Sequence, residues 1–287
     1  MRLRSKRPGI QKGLNTRTQG GHRGRGEVVR DVRHSEGRPF TPVIAWPDNP
    51  VIASSTMRRS ACCAQDCVRA SPKATKLPAE LLRVDAKSPQ LDVLRYAAHF
   101  LTRGCVVAIP TDTFYGLAAD PFNLAAVDEI YRVKGRPETR ALPILVNGLE
   151  QAMLLAREQP NFVKLAEAHW PGALTLVVDA SHRLPLKVTA GTGKVALRWP
   201  NSDIVKQLID EFEGPITGTS ANISGFPSCS SAEQVMKQLG TRVPLVLDAG
   251  DTGAALASTI VELLGENEWK VLREGVIPVA EIEKSLQ

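Results

Sequence analysis

The chain has 287 residues and a formal charge of +6, with 43% hydrophobic but only 5% aromatic residues, enough to bury a sizeable core yet poor in the stacking side chains of a single-stranded RNA platform. The charge is unevenly spread: residues 1–76 hold 16 Lys+Arg against 5 Asp+Glu, and the other 211 hold 20 against 25. The basic character belongs to the leader, so a nucleic-acid-binding fold does not follow from the whole-chain charge. With no run of 18 apolar residues and no signal-peptide segment, a soluble, cytoplasmic protein without membrane contact is expected.

Residues 1–80 read as a basic extension expected to be disordered, because Gly and Pro interrupt them and they lack the apolar periodicity that would offset ordering. A transit peptide, an RNA-touching arm and a leader without function, with Met57 as an internal start, all remain open; Glu27, Asp31 and Glu36 speak against the first. Cys62, Cys63 and Cys67 crowd this region without the spacing or histidines of a zinc site, and no His pair has metal-binding spacing.

From residue 84 helices and strands alternate. A helix over about 89–102, with Leu91, Leu94, Ala97, Ala98 and Leu101 on one face, stops at Gly104. Val106–Pro110 reads as a buried strand with Cys105 a small core residue at its start, and Thr111, Thr113 and Gly116 read as loop at its carboxyl end, where ligands of open α/β sheets gather. Asn123 caps a helix to about 133. A strand at 142–146, helices at 148–157 and 161–169, strands at 173–178 and 195–199, and a helix at 202–212 follow. Then come a strand at 215–219, a helix at 231–239, strands at 244–248, 257–264 and 268–273, and a short helix from 278. The pattern predicts an α/β fold: a twisted mixed parallel/antiparallel open sheet with helices packed on it.

Four polar clusters stand out. Lys134 and Arg136, with Arg140 beyond them, pair a compact charge with a two-oxygen fork, which suits a polyphosphate; taken alone, such a triplet is more often solvated surface. Ser220 and Asn222 follow an apolar strand in a Gly-flanked loop rich in donors and acceptors, and Ser228, Ser230 and Ser231 precede a helix whose amide end suits a phosphate. A polar turn is the plainer reading. Lys194 and Arg198 fall on one face of a strand by alternation, aimed at one cleft or else guarding a sheet edge. Ser258 enters one strand and Arg273 leaves the next, near Asp248-Ala-Gly250; Cys229 has no adjacent base.

In order, PTDTFYGLAADPF, KGRP, WPGALTLVV, VALRWP, TSANISG, LDAG, STIVEL and LREG resemble the YrdC/Sua5 family of threonylcarbamoyl-adenylate synthases over about residues 84–287, in its short single-domain form. The resemblance implies a YrdC-like fold and a nucleotidyltransferase that joins L-threonine, bicarbonate and ATP into threonylcarbamoyl-AMP, releasing pyrophosphate. The product would feed N6-threonylcarbamoyladenosine modification of tRNA through a downstream threonylcarbamoyl transferase complex. Mg2+ would arrive with ATP rather than on protein ligands. Matching the motifs implies that Lys134 and Arg136 are the catalytic phosphate ligands and that Arg140, Lys194, Asn222, Ser230 and Arg273 also meet ATP. Thr113, Arg198, Ser220 and Ser258 would surround threonine, with Arg198 on its carboxylate. The chain departs from the pattern at Ala141 and Thr219, where proline is usual, and near Leu145, where a histidine often stands. A double-stranded RNA or tRNA-binding module without adenylate synthesis is the alternative of a different class, and carbamoyl transfer of the hydrogenase-maturation type a third.

Overall fold

The structure is a computed structural model that describes residues 77–157, 159–265 and 268–287. The expectations for the leader as far as residue 76, its cysteine cluster included, lie outside these residues. The described elements begin β1 (Glu80–Arg83), α1 (Leu91–Thr102), β2 (Val107–Ile109), β3 (Gly116–Ala118), α2 (Leu124–Lys134), β4 (Ile144–Leu145), α3 (Leu149–Leu155), α4 (Pro160–His169) and β5 (Leu174–Asp179). They continue β6 (Lys194–Arg198), α5 (Asp203–Phe212), β7 (Ile216–Thr217), β8 (Thr219–Ser220), α6 (Ala232–Leu239), β9 (Leu245–Asp248), β10 (Thr259–Leu263), β11 (Trp269–Arg273) and α7 (Val279–Leu286).

The fold is α/β with mixed pairing, and its strands divide into two sheets, ordered β1-β9-β2-β3-β8 and β11-β10-β5-β6-β4-β7. In the first, β1, β9 and β2 run parallel while β3 and β8 are antiparallel additions. In the second, β10 and β5 are parallel, as are β6 and β4, and the other pairs are antiparallel. β6 lies inside this sheet, which removes the edge-strand reading of Lys194 and Arg198. The chain passes from one sheet to the other at Gly218, between Ile216 paired with Leu145 and Ser220 paired with Gly116. A Cβ on Gly218 would lie 2.4 Å from Leu145 Cγ, so a side chain there would push the two apart.

Two strands escape the sequence reading, and the single strand expected at 215–219 is two, β7 and β8, in different sheets. β3 falls on Gly116–Ala118, read above as loop from Gly116; three residues are too few to show a period of two. β1 precedes residue 84, and its Glu-Leu-Leu-Arg sequence lacks the β-branched residues that mark a strand. Its pairing with β9 brings it into the sheet all the same, so the sheet includes residues ahead of 84.

Apolar periodicity fills both faces of the first sheet. Leu94, Ala97 and Leu101 of α1 pack with Ile204, Val205 and Leu208 of α5 against Val107, Ile109, Leu245 and Leu247. Ala108, Leu117 and Val246 point the other way, into a larger cluster with Leu174, Leu176, Leu197 and Val261 of the second sheet. The two sheets therefore share one core, and the loop joining β2 to β3 lies where their strand ends meet. Among the described residues no helix is long and apolar enough to cross a membrane.

Candidate active site

The β2–β3 loop is folded by its own hydroxyls. Thr111 Oγ1 donates to Phe114 O (2.7 Å) and accepts from Thr113 N–H (3.1 Å), a local side-chain turn. Tyr115, fully buried at its end, donates its N–H to Cys229 O (2.9 Å) and accepts from Ala221 N–H (2.8 Å). Its phenol donates to Gly250 O (2.8 Å) and accepts from Ala249 N–H (3.1 Å). Burial, the largest influence, pushes that phenol up to about 12. One loop thus touches three of the segments singled out in the sequence.

On one side stand the first cations. Asn123 Oδ1 accepts from Ala125 and Ala126 N–H to start α2. The helix ends in a Schellman turn, with Gly135 left-handed (φ 59°) and Arg136 N–H bonded to Tyr131 O (3.0 Å). That turn leaves Lys134 pointing inward with 2% of its surface exposed and Arg136 half-buried beside it. Lys134 Nζ donates to Ser220 O, to Asn222 O (3.0 Å) and to Asn222 Oδ1 (3.2 Å), while Ser220 Oγ donates to the same Oδ1 (2.5 Å). All three ammonium protons therefore have protein acceptors. Burial first, and Arg136 second, bring Lys134 down to about 7, with Cys229 acting weakly the other way. Arg136 Nη2 donates to Ala141 O (2.9 Å), and its Nε is buried without a partner. Its pKa too is lowered, first by burial; Tyr131 opposes the shift and Arg140 adds to it. Arg140 is exposed, and Ser230 lies half-buried within 3.4 Å of Asp251 Oδ2.

On the other side of the loop Arg198 ends β6 with 6% exposure. Its Nη2 donates to Asp112 Oδ1 (2.6 Å), Nη1 to Thr113 Oγ1 (2.9 Å) and Nε to Gly172 O (3.0 Å). Ser258 shares a 2.9 Å hydrogen bond with Thr175 Oγ1, and its carbonyl accepts from Arg273 Nη2 (2.8 Å) and Nε (3.1 Å). Arg273 is lowered by burial and then by Arg198, so the two guanidiniums feel each other. Gly275 secures this corner, because a Cβ there would lie 2.1 Å from Ala257 O and 2.7 Å from the Ser258 carbonyl carbon.

Lys134, Arg136, Ser220 and Asn222 thus come together, as do Thr113, Arg198, Ser258 and Arg273, and the β2–β3 loop borders both groups. Lys194 joins neither. It pairs with Glu262 (2.5 Å) at the far end of β6, roughly 13 Å along the strand from Arg198 at ~3.3 Å per residue, so the two cations do not share one cleft. Asp112, Tyr115 and Thr175 are contributors the sequence reading passes over. All three sit inside the motif segments quoted above, but their partners lie 83 to 135 residues away and no local pattern links them. Among the described residues no carboxylate bonds to Lys134 or Arg136, a donor set suited to phosphate oxygens rather than to a metal ion. Among the described residues no three His, Cys, Asp or Glu side chains are grouped to hold one.

A threonylcarbamoyl-AMP synthase of Pyrococcus abyssi is 41% identical over 194 residues, 67% of this chain and 56% of that protein. The Bacillus subtilis enzyme of that name is 39% identical over 189 residues, 65% and 54% of the two chains. The human one is 33% identical over 221 residues, 71% and 78%. The chain spans about half the length of the first two relatives. The solved structure of P. abyssi Sua5 complexed with L-threonine superposes with a TM-score of 0.69 at 38% identity, covering 72% of this chain and 61% of that one. Escherichia coli YciO shares the fold at 21% identity, with a TM-score of 0.65 over 70% of this chain and 98% of its own. The family model for Sua5, YciO and YrdC, described as "Telomere recombination", matches residues 99–275 and so takes in both side-chain groups around the β2–β3 loop. By that match, its fold and its relatives, the chain belongs to the Sua5/YciO/YrdC family.

Proposed function

We propose that the chain is an L-threonylcarbamoyladenylate synthase, a nucleotidyltransferase acting on Mg·ATP, L-threonine and bicarbonate, and that residues from about Ala79 onward are its catalytic unit. The observation that carries this reading is the placement of two cationic groups, one headed by Lys134 and Arg136 and one by Arg198 and Arg273, around a single hydroxyl-rich loop. The first suits a polyphosphate, and in the second Arg198 suits an amino-acid carboxylate while Arg273 beside it is left for the nucleotide. The 38% identical P. abyssi Sua5, solved with L-threonine, supports the substrate assignment.

In this reading Lys134, Arg136, Arg140, Asn222, Ser230 and Arg273 receive the nucleotide. Thr113, Arg198, Ser220 and Ser258 receive threonine, and Lys194 is left to its pair with Glu262. The threonine amine takes up bicarbonate with loss of water, giving a carbamate. A carbamate oxygen attacks the α-phosphorus of ATP; the new P–O bond forms as the bond to pyrophosphate breaks. No protein nucleophile is required, and Cys229, buried with its pKa raised by that burial, is poorly placed to be one. Catalysis is then positioning plus neutralisation of the charge that moves onto pyrophosphate. A phosphate oxygen reaching Lys134 replaces one of its three protein acceptors, while Arg136 brings a buried, unpartnered N–H. The adenylate is consumed by the complex that threonylcarbamoylates tRNA, and the protein works in the cytoplasm.

Arg136→Ala tests the phosphate assignment. Pyrophosphate release that depends on threonine and bicarbonate is expected to fall about a hundredfold or more, roughly 3 kcal/mol of transition-state stabilisation, with the circular dichroism spectrum unchanged. Turnover at the wild-type rate contradicts it.

A further inference from the structure

Asp112 lies inside the motif PTDT but is given no role in the reading above, yet it makes the most buried ion pair of the described residues: Arg198 keeps 8% and Asp112 15% of its side-chain surface. The carboxylate is shared between two clients. Oδ1 takes Arg198 Nη2 (2.6 Å), and Oδ2 takes the N–H of Asn201 (3.1 Å), where the chain turns from β6 toward α5. One side chain from the β2–β3 loop therefore holds both the guanidinium and the backbone just beyond it, across 86 and 89 residues of sequence.

Donor arithmetic shows what this grip leaves free. A guanidinium has five N–H groups. The described contacts use one on Nε (Gly172 O), one on Nη1 (Thr113 Oγ1) and one on Nη2 (Asp112 Oδ1). One N–H on each terminal nitrogen is left, two donors that the oxygens of an anion can still take up. Without a fixed partner on Nη2 the fork can rotate about its last side-chain bonds and turn those donors away. The pairing also balances charge, since Arg198 helps to lower the pKa of Arg273 and, among the described residues, Asp112 is the one carboxylate bonded to either.

We propose that Asp112 is a positioning residue for amino-acid recognition: by holding Nη2 of Arg198 and the Asn201 amide, it fixes the guanidinium so that its remaining N–H donors meet the α-carboxylate of the substrate. This rests on the reading of Arg198 as the carboxylate ligand of an L-threonine substrate. It separates two jobs that the motif PTDT runs together, with Thr113 facing the substrate and Asp112 acting only through Arg198.

The test is steady-state kinetics of the full chain with Asp112→Asn, which keeps the shape and Oδ1 but replaces the second acceptor with a donor and removes the charge. KM for threonine is expected to rise about tenfold or more, while KM for ATP stays within about twofold, since a misplaced binding group of this kind commonly costs one to two orders of magnitude. A threonine KM that does not move, or an equal rise in both KM values, overturns the proposal. Arg198→Lys supplies the second arm and covers the case of a poorly folding Asp112→Asn. Asp112→Glu is measured alone and with Arg198→Lys: if Asp112 acts through Arg198, it raises the threonine KM of the otherwise wild-type chain but leaves that of Arg198→Lys unchanged, whereas full additivity contradicts the mechanism. A wild-type chain with no threonine-dependent turnover would sink the functional reading itself, and an active wild type with an indifferent Asp112→Asn sinks only this inference.

Discussion

Lys134 concentrates the chemistry of the proposed site. It lies at the end of a helix, buried, with its three protons given to Ser220 O, Asn222 O and Asn222 Oδ1, and its pKa is brought down to about 7 chiefly by loss of water. A phosphate group stabilises the ammonium, so its pKa in the nucleotide complex lies higher than in the free protein. Below pH 7 the lysine is already charged and binding needs no proton. Above pH 7 binding must first take one up, so affinity falls as pH rises, by at most about tenfold per unit, until the pKa of the complex is reached. Calorimetric titration with a non-hydrolysable Mg·ATP analogue between about pH 6 and pH 9 is expected to show this decline with proton uptake. Lys134→Met is expected to bind weakly at every pH without the slope. A flat wild-type profile would mean that Lys134 serves the Ser220–Asn222 turn alone.

At the scale of elements, the site depends on how closely β11 can leave the sheet past the entry of β10. Gly275 is the residue that permits it, because any Cβ there would meet the backbone of Ala257 and Ser258 rather than a side chain able to move aside. Gly275→Ala is expected to lower stability by about 1 to 3 kcal/mol and to weaken threonine binding through Ser258. Gly265→Ala, where a Cβ meets nothing within 4 Å, is the near-neutral control. Urea unfolding midpoints of the two variants check the contrast.

The same scale shows how far local sequence carries. The Asn123 cap and the glycine just past Lys134 mark both ends of α2, and the apolar spacing of α1 gives its packed face through Leu94, Ala97, Ala98 and Leu101, although Leu91 at its first turn is exposed, because capping and periodicity are local effects. β3 is not legible: it exists because Ile109, Ala108 and Val107 offer it a partner across a turn, not through any pattern of its own. Lys194 and Arg198 follow the expected alternation, but a face is not a cleft, and Glu262 two strands away decides where Lys194 goes. The roles expected of Arg198 and Ser258 rest on the motif order, whereas the partners that orient them, Asp112 and Thr175, emerge only when segments more than 80 residues apart are folded together.

For the whole molecule, the division into two sheets explains why the proposed site lies where it does. The first sheet contributes the β2–β3 loop and the Ser220–Asn222 turn, and the second contributes Arg198, Ser258 and Arg273. The strand passage through Gly218 and the shared apolar cluster hold the two together. Neither sheet alone carries both groups, so the proposed adenylate synthesis requires the two together. Mass spectrometry of the products formed by the purified full chain from Mg·ATP, bicarbonate and, in separate reactions, each amino acid tests this most directly. Threonylcarbamoyl-AMP with an equal yield of pyrophosphate in the threonine reaction is the predicted result. Bound ATP with no carbamoylated adenylate from any amino acid would contradict it.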